Sequence, residues 1–332
     1  MQNLFPISYS TLSPDALAAF ISQQYDLPTA SCRFLVRGVG DTYLVEAGKS
    51  TFIFRVYRSG HRGHGAIDGE TTLLKALHED GVSVSYPIAD KHANLIQSFN
   101  AAEGNRYGAL FSFAAGKVIP APNDAQLRSL GHEIAKFHNV SSSITLTGVT
   151  RKFDLQTTLF DPLERTRSYF LNDQEGYEWL KNMTGRIKAA LDKLDTSGFS
   201  SGYCHFDFLP KNFHFDGDKV TLFDFDFLGF GWLVNDLMTF WTHLQMDQQF
   251  NRITKERAED SFRILIGAYR EIRPLTDDEL GAIPYLALGF WLFYMEFHAT
   301  HDQFFPLIAE PAMLKMRIAF VRQLIERNWP QE

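Results

Sequence analysis

The segment 203–231, YCHFDFLPKNFHFDGDKVTLFDFDFLGFG, holds the chain's clearest grouping of residues able to do polar chemistry. Asp207 follows His205 by two positions, Asn212 follows Asp207 by five, and Asp224 follows Asn212 by twelve. Between Asn212 and Asp224 two alternating runs flank Asp216-Gly217-Asp218, which is a β-hairpin signal. A hairpin brings its ends together, so Asn212 and Asp224 are expected to be neighbours. An amide oxygen beside a carboxylate suits hard Mg2+, which takes oxygen ligands and completes its shell with nucleotide phosphates. Asp207, on the loop just before, is then the carboxylate that orients or deprotonates an attacking hydroxyl. A loop acid, an Asn five residues on and a later metal-binding Asp are the ordered parts of phosphoryl transfer. A single His-x-Asp arises readily by chance, so the ordered set carries the reading.

Those residues need elements to hold them. Ser13-Pro14-Asp15 is a helix start, with Ser13 able to cap, Pro14 suited to the first turn and Asp15 facing the positive helix end. That helix is expected to run to about Tyr25. Three β-rich runs follow near 32–37, 42–47 and 51–57, with Gly48-Lys49 as a hairpin turn. Residues 67–80 read as a helix with Leu73, Leu74 and Leu77 on one face and Gly81 at its C-terminal cap. Two more strands fit near 95–99 and 107–113. Beyond Gly116 long helices dominate, at about 123–140, 174–195, 233–249, 256–272, 277–298 and 310–328, interrupted by a strand-rich island at 203–228. The spacing predicts an α+β chain of two lobes, β-rich over 1–115 and mainly helical over 116–332, with an active site expected between them.

HFDFLPKN followed by LFDFDFLGFG and then Asn235-Asp236-Leu237 resembles the aminoglycoside phosphotransferase/choline kinase-like family. The resemblance implies a bilobal protein-kinase-like fold with ATP and Mg2+ in the cleft, and it covers nearly the whole chain. It places Gly38, Gly40, Asp41 and Thr42 in the turn that covers the nucleotide. It places Arg55, in TFIFRVYR, where the family carries its ATP-phosphate lysine, and Glu70 as the ion-pair partner of that residue. Phe111 and Phe113 fall near the inter-lobe hinge, and LGHEIAKFH looks like the first long helix of the second lobe. Asn212 and Asp224 would bind the metal and Asp207 would act on the acceptor. His205 and Asp236 read as structural support for the catalytic loop. Two positions depart from the family pattern. Arg55 keeps the lysine's charge, though its planar fork is not equivalent to an ammonium, and Phe206 stands where the family has glycine.

The expected reaction is ATP- and Mg2+-dependent transfer of phosphate to the hydroxyl of a small metabolite, such as an amino alcohol, homoserine, a sugar or an aminoglycoside. A Ser/Thr protein kinase of the bacterial stress-response type and a non-catalytic nucleotide-binding scaffold are the alternatives. Asp226 reads equally as a second metal contact or a surface carboxylate. His61 and His64 have no third ligand nearby, and Cys204 reads as a small buried residue. Trp291, Tyr294 and His298 share a helix face, with Glu296 close by; a core stripe is the first reading and an acceptor-pocket wall the second.

Composition narrows the rest. The chain has 332 residues, with 32 Lys+Arg against 39 Asp+Glu and a net charge of −7. That balance argues against a nucleic-acid partner. Cys32 and Cys204 cannot form a disulfide framework or a thiolate zinc site. The N-terminus lacks a basic region followed by an apolar core, and the apolar run Leu280 to Met295 is short for a membrane span and holds Pro284. A cytoplasmic protein with no membrane partner, monomeric or homodimeric, is expected.

Overall fold

The structure is a computed structural model and describes residues 5–329. Residues 1–4 and 330–332 of the two expected lobes lie outside the described residues. In chain order the first elements are α1 (Pro14–Gln24), β1 (Ala30–Arg37), β2 (Asp41–Ala47), β3 (Ser50–Val56), α2 (His64–Glu79), β4 (Pro87–Ile88), β5 (Gln97–Ala101) and β6 (Gly104–Ser112). There follow α3 (Asp124–Ser141), β7 (Lys152–Phe153), α4 (Asp161–Thr166), α5 (Gln174–Leu191), β8 (Ser201–Cys204), β9 (Phe213–Asp216), β10 (Lys219–Leu222) and β11 (Gly229–Trp232). The chain ends with α6 (Val234–Gln249), α7 (Lys255–Ile272), α8 (Asp277–Thr300), α9 (Pro306–Ala309) and α10 (Pro311–Asn328).

Two compact units emerge, and neither is one stretch of chain. The first comprises residues up to Pro120 with Ile144–Thr150 and Lys211–Asp226; the second comprises Ala121–Ser143, Arg151–Pro210 and Phe227 onward. The division therefore differs from a single cut at 115/116. The strand-rich island is also two things. β9 and β10 form an antiparallel hairpin in the first unit, whereas β8, β11 and β7 make a three-stranded sheet in the second.

In the first unit an antiparallel sheet runs β1-β2-β3-β6-β4, with β5 also paired to β6. Successive side chains point to opposite faces. Tyr43, Val45, Phe54, Val56 and Leu110 bury one face against Leu17 and Ile21 of α1. Ser13 caps α1 by accepting from the Ala16 N–H at 3.4 Å. The opposite parity puts Thr42, Arg55 and Ala109 in register across the other face.

The β9–β10 hairpin is fastened to this unit by backbone. Lys117 and Phe215 exchange hydrogen bonds of 3.1 and 2.9 Å, and the Leu222 carbonyl accepts from Ser85 at 2.8 Å. Gly116 makes the approach possible. Its φ is +89°, and a Cβ there would lie 2.1 Å from the Phe215 carbonyl oxygen.

The second unit is built on α8. By length and composition this helix could cross a membrane, but half of its most apolar window is buried inside the fold. Ala282, Ile283, Leu286, Phe290 and Met295 pack inward, which makes it a core helix. Residues 156–170, which show no clean period, form a run of irregular helical turns around α4.

Candidate functional site

In the second unit the loop after β8 is clamped by side chains. Asp236, buried at the start of α6, accepts from the His205 N–H at 2.9 Å and from the Phe206 N–H at 2.6 Å. The Asp207 N–H donates to His205 Nδ1 at 3.2 Å, and the Phe208 N–H donates to the Thr239 hydroxyl at 3.1 Å. Four successive backbone donors are thus held by fixed side chains. Thr239 donates in turn to the Asp236 carbonyl at 2.8 Å. His138 of α3 approaches Asp236 through Nε2 at 3.0 Å and Tyr269 of α7 through Nδ1 at 2.8 Å. Burial pushes the His138 pKa down, against the opposing pull of Asp236, so the ring is neutral, donating from Nε2 and accepting at Nδ1. Asp207, at the centre of this frame, is buried.

Phe206 explains the glycine of the family pattern. Its φ is +61°, a left-handed conformation that costs a bulky residue energy. Packing offsets that cost: the ring stacks on Phe153 at 3.8 Å and 5°, meets Phe293 at 5.1 Å, and is fully buried.

In the first unit Phe223 N–H donates to the Asn212 carbonyl at 3.0 Å, so the hairpin ends are joined where residues 212 and 224 begin and finish it. Arg55 reaches Asp224 at 3.0 Å and also pairs with Asp226. Arg62 pairs with Glu70 and, at 3.3 Å, with Asp226. Tyr57 donates to Glu70 at 3.1 Å. Burial would raise the Asp226 pKa, but Arg55 and Arg62 hold its carboxyl well below the usual range. Asp226 is therefore not a surface carboxylate. It is the buried bridge between two arginines.

The expected Arg55–Glu70 ion pair does not form. Arg62 takes the place beside Glu70 instead, anchored by a 2.8 Å bond to the Ala66 carbonyl in the first turn of α2. Nothing in the spacing distinguished Arg62 from the other charges of the 58–63 loop, because only the fold of that loop onto α2 buries it. Asp41 also departs from expectation. Its strand parity points it into the core, where it accepts from Tyr9 and, at 3.0 Å, from the buried Arg106, so its carboxylate serves the sheet interior. Thr42 lies directly across from Arg55. Gly38 and Gly40 close the β1–β2 turn through a 2.9 Å bond from the Gly38 N–H to the Gly40 carbonyl. Phe111 is buried on β6, while Phe113, just past the strand, is 41% exposed.

Five charged groups gather here: Arg55 and Arg62 against Glu70, Asp224 and Asp226. They leave one net negative charge and an oxygen-only donor pair, Asn212 and Asp224, which suits a hard divalent cation. Among the described residues no three His, Cys, Asp or Glu side chains cluster as a metal cage. A cation bound through these two residues would take its other ligands from water and phosphate, as Mg2+ with a nucleotide does.

Comparison with known proteins now decides the class. The profile of the phosphotransferase enzyme family matches residues 31–275. The chain belongs to this family. It is accordingly a phosphotransferase with an alcohol group as acceptor. An uncharacterized protein of Deinococcus radiodurans is 33% identical to this phosphotransferase over 297 residues, 88% of this chain and 83% of the relative. A homoserine kinase of Phenylobacterium zucineum is 26% identical over 309 residues, 88% of each chain. An amicoumacin kinase solved with AMP-PNP and Ca2+ shares the fold, with a TM-score of 0.75 at 17% identity over 95% of this chain and 94% of that one. The fold of this phosphotransferase is thus the protein-kinase-like one, a β-sheet unit and a helical unit.

Proposed function

We propose that the enzyme transfers the γ-phosphate of ATP, in the presence of Mg2+, to a hydroxyl of a small metabolite. The clamped loop carries this reading: side chains hold all four backbone N–H groups from His205 to Phe208, and Asp207 sits among them. Such preorganisation is what positioning catalysis requires. Asp207 accepts a hydrogen bond from the acceptor hydroxyl, aims an oxygen lone pair at the γ-phosphorus, and takes the proton as the new ester bond forms, the bond from that phosphorus to the β–γ bridging oxygen breaks and ADP leaves. Arg55 is the cation that meets the ATP phosphates. Strand register holds Arg55 on its face of the sheet, and Arg62 holds Glu70 and the Asp226 carboxylate that Arg55 also pairs with. Asn212 and Asp224 would hold Mg2+, which when bound neutralises charge on the phosphate oxygens. The homoserine kinase among the relatives supports a small acceptor of amino alcohol or hydroxy amino acid type.

The test separates the two acids. Asp207→Asn and Asp224→Asn should each abolish turnover. Calorimetric titration with Mg2+ and AMP-PNP should then show nucleotide affinity within a few-fold of wild type for Asp207→Asn and clearly weakened for Asp224→Asn. Equal loss of nucleotide binding in both variants would overturn the roles.

A further inference from the structure

In the second unit α8 and α10 meet around a positive charge that has no counter-ion among the described residues. Arg317 of α10 donates from Nη2 to His298 Nδ1 of α8 at 3.0 Å. Its Nη1 is sealed from solvent with no hydrogen-bond acceptor, and no carboxylate pairs with it among the described residues. Burial alone acts on the group and lowers its pKa from 12.5 to about 10, so it remains charged at neutral pH. Two turns earlier on α8 a second donor is stranded. The Trp291 indole Nε1–H is sealed and lacks an acceptor, and its ring packs at 4.9 Å on Phe320, three residues beyond Arg317. Buried donors are nearly always satisfied, and a buried charge is nearly always paired. The Arg317 guanidinium, short of an acceptor and of a paired carboxylate at this helix contact, is a place that an anion fits.

The same face of α8 leads to the catalytic loop. Phe206, next to Asp207, packs on Phe293 at 5.1 Å and Phe290 at 6.2 Å. Tyr294 contacts Phe290 at 4.6 Å and His298 at 5.8 Å. At a helical rise of 1.5 Å per residue, positions 293 and 298 are about 7.5 Å apart along the axis, the length of a short metabolite.

We propose that Arg317 binds the carboxylate of the phosphate acceptor, so that the substrate class is small hydroxy acids and hydroxy amino acids. The proposal rests on the phosphotransfer reading above. A carboxylate offers acceptor oxygens only, in the two-pronged geometry that a guanidinium fork matches. One negative charge balances the one positive charge present, and an amine at this place would be repelled.

The probes are L-homoserine, L-serine and 4-hydroxybutyrate, set against 3-aminopropan-1-ol, which is homoserine without its carboxylate. Binding is followed by calorimetry without nucleotide, and kcat/KM is measured with Mg2+ and ATP. At least one carboxylate should bind the wild type, and homoserine should be preferred over the amino alcohol. Arg317→Met should weaken carboxylate binding by about tenfold or more and erase the preference, since a hydrogen bond to a charged group is lost. Arg317→Lys should fall between, keeping charge without the fork, and it carries the comparison should Arg317→Met not fold. Affinity for Mg2+ with AMP-PNP should be unchanged in both variants. No carboxylate binding to the wild type, equal binding by the variants, or preference for the amino alcohol would each overturn the proposal. A wild-type protein that fails to bind Mg2+ with AMP-PNP would strike instead at the phosphotransfer reading, because the carboxylate titration needs no nucleotide.

Discussion

Arg62 lies almost entirely buried between Glu70 and Asp226, with side chains 5%, 1% and 5% exposed respectively. Removing one partner of a buried pair strands the other, at a cost of about 3–5 kcal/mol. Arg62→Ala should therefore lower the urea-unfolding free energy by an amount in that range. Arg62→Met combined with Glu70→Gln should recover much of it, because the charge then leaves with its partner. If Arg62→Ala is as stable as wild type, the pairing contributes nothing and Glu70 is held by Tyr57 alone. Phe206 makes the complementary point. A residue costly for its backbone is tolerated because its ring fills the space between Phe153 and Phe293.

At the scale of elements, the β9–β10 hairpin matters because it carries Asn212 and Asp224 at its two ends. Two glycines bear on it differently. Gly116 has φ +89° and no room for a Cβ against the Phe215 carbonyl, whereas Gly217 in the hairpin turn has φ +61° and open space around it. Gly217→Ala should cost only the left-handed strain, about 1–2 kcal/mol. Gly116→Ala adds a backbone clash that must push the hairpin from Lys117, so it should cost more and also weaken binding of Mg2+ with AMP-PNP. Thermal melts and calorimetry on the two variants check this; equal effects on nucleotide binding would show that the 116–117 contact does not position Asn212 and Asp224.

Across the whole molecule, acid stability follows from buried imidazoles. Burial holds the His138 pKa below its ordinary value, and burial does the same to His243 beside Asp247. A lowered folded-state pKa means that the unfolded chain takes up the proton first. Stability from these groups is full above about pH 6.5, the unfolded value, and falls as pH drops below it. Asp226 has the opposite chemistry and the same sign, since its depressed pKa stabilises the fold above about pH 3.9 and that contribution is lost at lower pH. The melting temperature should thus decline between pH 7 and pH 5 and again in stronger acid. His138→Gln should be less stable than wild type at pH 7.5 yet show a flatter profile between pH 7 and pH 5. A profile as steep as wild type would remove His138 as a source of the decline.

Local pattern was enough for the two-lobed α+β architecture, the long helices and the 213–222 hairpin, because periodicity, caps and turn residues act over a few neighbours. The closeness of Asn212 to Asp224 was legible for the same reason, because hairpin length is a property of sequence. Tertiary structure alone decided which charges meet. Asp41 turns inward because strand register, set by β3 and β6, puts it opposite the parity of Arg55. Glu70 meets Arg62 because a loop folds onto α2, and the Arg317 Nη1 is sealed from water where α10 meets His298 of α8. Each of these depends on desolvation and distance between groups far apart in the chain, which no spacing along one strand or helix encodes.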